Sequence, residues 1–142
     1  VFLKDTCCDY ELIRERLKAV EGTPLKIFNA NAQSWYDSYC HGSAGYNGVM
    51  ANFHPDLYKW AYDHKDSDPE KAQLVAHFLT TAAMIEMRAY PVSAKYHQNL
   101  VDVPMSLVTR SADAAKLDKN ARGEVESLIA MENYVRKQLG IL

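Results

Sequence analysis

The chain has 142 residues, with 16 basic and 18 acidic side chains, a formal net charge of -2 and 48% hydrophobic residues. This size suits one ordinary domain with a sizeable core, and the mixed charge without a basic stripe excludes nucleic acid as an expected partner. No apolar run approaches the roughly 18 residues that cross a bilayer, so we expect a cytoplasmic protein without membrane contact.

Three apolar segments predict strands that alternate with helices. The predicted strands are 1–4, 25–29 and 45–51, and the helices run from a cap at Asp9 to Gly22, from about 32 to 41, and onward from Pro55. Helices between consecutive strands require those strands to be parallel. Three parallel strands alone would leave two unpaired edges, so we expect the remaining strands to come from outside this chain, which we interpret as a fragment.

The pattern from 66 to 142 is helical. Ser67 to Glu70 reads as a capping box with Pro69 in the first turn. The apolar stripe that follows is Leu74, Phe78, Leu79, Ala82 and Ile85. A shorter helix is predicted at about 92–100, and a long one from Asp118 to Leu139, ending at Gly140, with one side formed by Ala121, Val125, Leu128, Glu132, Val135 and Leu139.

Lys4 is the main catalytic candidate, because it lies where the first predicted strand reaches its carboxyl end. A continuous apolar run is typical of a strand covered on both faces, and α/β proteins place their chemistry at the carboxyl ends of such strands. A lysine attacks a carbonyl only as the free amine, and removal from water favours that neutral form. The alternative is a surface lysine whose stem lies on apolar surface while its head reaches water.

Other motifs favour structural interpretations. Cys7, Cys8 and Cys40 read as reduced thiols, and neither they nor the five histidines have the spacing of metal ligands. The glycine-rich segment 42–48 fits no phosphate-binding pattern and predicts a turn into a strand with close backbone approach. Aromatic residues at helical spacing predict packing rather than a cofactor site: Trp35, Tyr36, Tyr39, Tyr58, Trp60 and Tyr62.

Several segments resemble the dihydrodipicolinate synthase and N-acetylneuraminate lyase family. They are F-L-K-D-T-C at 2–7, K-I-F-N-A-N-A at 26–32 and G-S-A-G-Y-N-G-V-M-A-N-F-H-P at 42–55, with Y-P-V-S-A-K at 90–95 similar to the family's N-P-[IV]-x-x-K. Their order matches the sixth, seventh and eighth strands of that family's (β/α)8 TIM barrel. The resemblance implies that 1–65 are the last three βα units of such a barrel and that 66–142 are a carboxyl-terminal helical region packed on it.

The resemblance also implies a function. Lys4 corresponds to the lysine that forms a Schiff base with pyruvate or another 2-oxo acid, and Thr6 to a residue close to the bound substrate. Ala32 and Gln33 replace the acidic pair of the sialic-acid enzymes, so sialic acid cleavage is not expected. The remaining pocket for an aldehyde co-substrate would be lined by Ala30, Ala32, Gln33, Asn47 and Val49.

The family's threonines and tyrosine that complete the site are absent from this chain, so we expect it to be inactive without the amino-terminal half of the same enzyme. The resemblance implies that the protein is a homo-oligomer, specifically a homotetramer. It implies neither a metal nor a diffusible cofactor. One alternative is a barrel of this family that keeps the lysine but serves as a small-molecule-binding or regulatory protein. Another is a free-standing α/β interaction domain.

Overall fold

The computed structural model describes residues 1–141. The strands are β1 Phe2–Asp5, β2 Lys26–Asn29 and β3 Gly45–Tyr46. The α-helices are α1 Tyr10–Ala19, α2 Trp35–Cys40, α3 Pro55–His64, α4 Pro69–Ala82, α5 Val92–Leu100 and α6 Lys119–Leu139, and short 3-10 helices occupy Val49–Asn52, Ala83–Met87 and Ala114–Lys116. The chain forms two compact units, one of residues 1–51 and 55–80, the other of 52–54 and the residues from 81 onward.

The first unit is built on a parallel three-stranded sheet in the order β1-β2-β3. Helices α1 and α2 connect successive strands, which confirms the predicted alternation and the parallel pairing. The side chain of Asp9 accepts the amide of Leu12, so α1 begins at the predicted cap. The unit also contains α3, which starts at Pro55 as expected, and most of α4.

The prediction that the first strand is covered on both faces is wrong for this chain. Phe2 is 67% exposed and Leu3 is 44% exposed, and Lys4 is also exposed. Among the described strands β1 pairs only with β2, so its other edge is open. The core beside it is a small cluster in which Ile13 and Leu17 of α1 pack with Ile27 of β2.

The third strand is shorter than predicted. Only Gly45 and Tyr46 are in β3, and the chain then turns into the 3-10 helix Val49–Asn52 instead of continuing as strand to 51. Close packing accompanies this turn. A Cβ atom added to Gly48 would collide with the hydroxyl end of Tyr46 and lie 2.5 Å from the Ala30 carbonyl oxygen, so the position has room only for glycine.

The aromatic residues of the first unit pack as the sequence predicts. Trp35 is fully buried, with its ring centroid 4.7 Å from that of Tyr58 and 5.0 Å from that of Tyr39. Tyr46 stacks on Tyr58 with 4.1 Å between centroids. Edge-on and stacked pairs of this kind stabilise by about 0.5–1.5 kcal/mol beyond the area that they bury. This aromatic cluster joins α2, β3 and α3.

Two details of α4 differ from the prediction. Asp68, not Ser67, is the cap, because its carboxylate accepts the Lys71 amide. The buried side of the helix is Ala72, Val75, Ala76 and Leu79, whereas Leu74 is 68% exposed. An alanine-rich side lets a helix approach its neighbours closely, which a pattern based on large apolar residues overlooks. The helical pattern continues beyond Ala82 as the 3-10 helix Ala83–Met87.

The second unit pairs α5 with α6. Helix α5 has the predicted bounds, and α6 begins at the cap Asp118 and ends at Gly140 as expected. The buried residues of α6 are four of the six predicted, namely Ala121, Val125, Leu128 and Glu132. Val92, Leu117 and Ala121 form an apolar cluster at one end of the pair.

A buried ionic cluster holds this unit together around Glu132. His54 Nδ1 lies 2.7 Å from Glu132 Oε1, and His97 Nε2 lies 3.1 Å from both carboxylate oxygens. Arg136 lies one turn later on α6, and its Nη1 atom is 3.2 Å from Glu132 Oε2. Burial of Glu132 acts to raise its pKa, but the hydrogen bonds from the two histidines outweigh burial and lower the pKa from 4.5 to about 2.

Of the helices in residues 1–141, none combines the length and the apolar content that a membrane crossing requires.

We expect Gly48→Ala to destabilise the protein by about 1–3 kcal/mol, because the added methyl group has no space beside Tyr46 and the Ala30 carbonyl. The matched control is Gly123→Ala on α6, where an added Cβ meets nothing within 4 Å. That change should stabilise by about 1 kcal/mol through helix propensity. Urea unfolding of both variants is the measurement, and an equal effect of the two substitutions would contradict the packing at Gly48.

We expect the free energy of unfolding to fall as the pH drops from about 4.5 toward 2, because the pKa of Glu132 is lowered on folding and protonation then favours the unfolded chain. The loss should be on the order of 3 kcal/mol. Glu132→Gln should remove this component, so that the variant and the wild type converge at low pH. The exposed Glu15→Gln is the control and should stay within about 0.5 kcal/mol of wild type. If the free energy of unfolding of the wild type did not change between pH 4.5 and 2, the lowered pKa of Glu132 would be contradicted.

Candidate active site

Lys4 lies in a row of residues that crosses the sheet. It pairs with Phe28 of β2, and Phe28 pairs with Gly45 of β3. Residues paired in register on parallel strands point to the same face of a sheet. The next residues, Asp5 and Asn29, are buried and point to the opposite face, where the helices α1 and α2 pack. Lys4 therefore lies on the sheet face turned away from those helices.

Asp5 fixes the orientation of β1. Its carboxylate accepts hydrogen bonds from Arg16 Nη1 of α1 at 2.6 Å and from the Cys7 amide at 2.9 Å. Burial acts to raise the pKa of Asp5, but these hydrogen bonds outweigh burial and lower it. Moving the Asp5 carboxylate to the other face of the sheet would break these buried hydrogen bonds at a large cost in free energy. Because side chains alternate between the two faces along a strand, Lys4 is therefore held on the face opposite to Asp5.

A second row on the face of Lys4 lies two residues nearer the carboxyl ends of the strands. The Ala30 amide donates to the Asp5 carbonyl at 2.9 Å, and the Asn47 amide donates to the Asn29 carbonyl at 2.8 Å, so the pairing pattern extends past the strand ends. Thr6, Ala30 and Asn47 follow Lys4, Phe28 and Gly45 by two residues each. The fold thus brings Lys4, Thr6, Ala30 and Asn47 together at one edge of the sheet.

The other pocket residues predicted from the sequence lie elsewhere in the first unit. Ala32 is buried, and its carbonyl accepts the Thr80 hydroxyl at 3.2 Å. Gln33 is exposed, and its side chain accepts from Asn31 Nδ2 at 2.8 Å. Val49 is half-buried in a 3-10 helix. These three residues belong to the segments that follow β2 and β3.

The turn after β2 depends on two asparagines that the sequence analysis did not single out. Asn29 is buried and donates to the hydroxyls of Ser34 and Ser38 at 3.0 and 3.1 Å. Asn31 accepts the amides of Gln33 and Ser34 through its side-chain oxygen. The signal was present, because asparagine after a strand often bonds to the backbone of its own turn. These contacts position Ala30 at the sheet edge.

Two of the three cysteines, Cys7 and Cys40, have thiols of low reactivity. Burial, aided by a hydrogen bond to Asp5, raises the pKa of Cys7, and burial likewise raises the pKa of Cys40. A raised pKa keeps a thiol protonated and a poor nucleophile.

The fold has known counterparts. The chain matches a monomeric variant of dihydrodipicolinate synthase with a TM-score of 0.80 and 15% identity, covering 95% of this chain and 45% of that one. It matches N-acetylneuraminate lyase from Fusobacterium nucleatum with a TM-score of 0.75 and 17% identity, covering 90% and 43%. Another dihydrodipicolinate synthase matches with a TM-score of 0.67 and 18% identity, covering 99% and 46%. No protein-family model matches the sequence, and comparison with curated proteins finds no match.

The chain spans less than half the length of each of these structures. Sequence identity below 20% shows a shared fold and nothing more. The fold implied by the resemblance in the sequence is therefore confirmed. The chain has the fold of part of the (β/α)8 barrel of dihydrodipicolinate synthase and N-acetylneuraminate lyase.

Proposed function

We propose that this chain supplies the reactive lysine of a lyase or aldolase that forms a Schiff base with pyruvate or a related 2-oxo acid and makes or breaks a carbon–carbon bond. The observation that carries the proposal is the position of Lys4. It lies at the carboxyl edge of a parallel sheet, on the same face as Thr6, Ala30 and Asn47, in a fold shared with enzymes of this kind.

The covalent step joins the Lys4 amine to a ketone, and acid and base groups of the other half of the barrel carry the protons. The neutral Lys4 Nζ attacks the ketone carbon and a carbon–nitrogen bond forms; the ketone oxygen takes one proton from the nitrogen and one from a general acid and leaves as water. The resulting iminium accepts the electron pair when the adjacent carbon–carbon bond is broken; when that bond is made, a base first removes a proton from the carbon next to the iminium, and the enamine so formed attacks the aldehyde. Thr6 follows Lys4 by two residues, and the resemblance implies that it contacts the bound acid.

The exposure of Lys4, Phe2 and Leu3 fits an incomplete site. Exposed apolar residues on an open strand edge are a surface that soluble proteins cover. We propose that the amino-terminal part of the same barrel covers it, pairs with the free edge of β1 and removes water from the amine. The partners of the chain are then this other half, a 2-oxo acid and an aldehyde, within a homo-oligomer.

The direct test is borohydride reduction in the presence of pyruvate, performed on the complete barrel. We expect a covalent pyruvate adduct that peptide mapping locates on Lys4, and we expect Lys4→Arg to abolish it. The control is Lys26→Arg, because Lys26 is exposed, begins β2 and shares the sheet face of Lys4. This control should still be labelled.

The chain without its other half should give no adduct, since its amine remains in water. Labelling of Lys26 as strongly as Lys4 would contradict the proposal. A complete barrel that shows no labelling would instead favour the alternative of a binding or regulatory protein.

The pocket for the aldehyde gives a further prediction. Asn47→Ala and Gln33→Ala should change the preference among aldehydes by about two- to tenfold, as expected for loss of one hydrogen bond each. Pyruvate labelling of Lys4 should persist in both variants. Asn120→Ala on the exposed side of α6 is the control. Loss of labelling in the Gln33 or Asn47 variants would remove these residues from a role in specificity.

A further inference from the structure

Phe28 lies next to Lys4 in the row that crosses the sheet, and its ring has a defined position. A Cβ atom added to Gly45 would lie 2.6 Å from Phe28 Cε1 and 2.7 Å from Cδ1. The ring therefore leans over β3 and occupies the space that a side chain at 45 would fill.

A second ring supports Phe28 from the amino-terminal side. Phe2, two residues before Lys4 on the same face, meets Phe28 edge-on with 5.7 Å between ring centroids. The Phe28 ring lies directly below the row of Thr6, Ala30 and Asn47, and the Phe2 ring lies one row further toward the amino-terminal ends of the strands. The middle residue of that row is Ala30, which directly follows β2. Its side chain is a single methyl group, so it covers little of the carboxyl-terminal side of the Phe28 ring.

We propose that Phe28 is a specificity-determining residue, whose ring forms the apolar floor of the co-substrate pocket beside Lys4 and favours aldehydes with a flat apolar group. This inference rests on the proposed function and deepens it. Adjacent strands lie about 4.8 Å apart. An aldehyde that reaches the carbon atom bound to Lys4 Nζ therefore passes Ala30, the residue after β2, and ends near Asn47, the residue after β3. Its body then lies against the Phe28 ring.

The small number of polar groups on this face also favours an apolar aldehyde. Of the residues in the upper row, Thr6 and Asn47 offer hydrogen bonds, whereas Asp5 and Asn29 are turned toward the helices. Hydroxyl groups of an aldehyde that lie against this aromatic ring lose hydrogen bonds to water there, which costs free energy. An apolar aldehyde gains contact with the ring instead.

The test is the ratio of kcat/KM for benzaldehyde to that for glyceraldehyde, with pyruvate as the donor, in the complete barrel. Phe28→Leu should lower this ratio about three- to tenfold, the range expected for the loss of one aromatic pair. Gly45→Ala is a second variant, because its methyl group displaces the ring without removing it, and it should lower the ratio in the same direction. The control is Phe53→Leu, a buried phenylalanine in the second unit, which should not change the ratio.

Pyruvate labelling of Lys4 is measured in the same samples and reports whether the site is assembled. Failure of the wild type to be labelled would refute the proposed function itself. Labelled Phe28 and Gly45 variants with an unchanged ratio would overturn the role of Phe28 alone and leave its ring as packing. If Phe28→Leu does not fold, the benzaldehyde-to-glyceraldehyde ratio of Gly45→Ala alone tests the role of Phe28: a lowered ratio supports it and an unchanged ratio overturns it.

Discussion

The register of the three parallel strands determines which side chains lie on each face of the sheet. A shift of one residue would move every side chain of a strand to the other face of the sheet. The register is held on the helix side by buried polar groups, with Asp5 bound to Arg16 and Asn29 bound to Ser34 and Ser38. Because these groups need their partners, Lys4 and Phe28 are kept on the opposite face.

The same alternation explains why one face of this sheet is packed and the other is open. Ile27 joins Ile13 and Leu17 of α1 in a small core, whereas Phe2 and Lys4 on the other side are exposed. The two faces thus have different roles. One face holds the helices, and the other presents an amine, two aromatic rings and the start of a pocket to the part of the barrel that we propose completes it.

Much of the fold could be predicted from the sequence because its signals are local. The cap Asp118, the apolar spacing of α6 and the terminal Gly140 all lie in or next to that one helix. The early end of β3 could not be predicted, because Gly48 packs against the Ala30 carbonyl, a contact between segments that are far apart in the sequence. The alanine-lined side of α4 was missed because small residues carry little hydrophobic signal.

The candidate site shows the same division. That Lys4 and Thr6 share a face follows from alternation along one strand. That Phe28 and Gly45 stand beside Lys4 depends on pairing between strands, which composition and spacing do not reveal. Ala32 and Gln33 were predicted in the pocket, and the structure places them in the turn held by Asn31.

A crystal structure of the complete barrel with pyruvate would show whether Lys4 forms the proposed Schiff base. We predict continuous electron density from Lys4 Nζ to the ketone carbon, with the adduct lying beside Thr6 and Ala30 and shielded from water by the added strands. A structure in which Lys4 still extends into solvent, with pyruvate bound elsewhere or not at all, would contradict it.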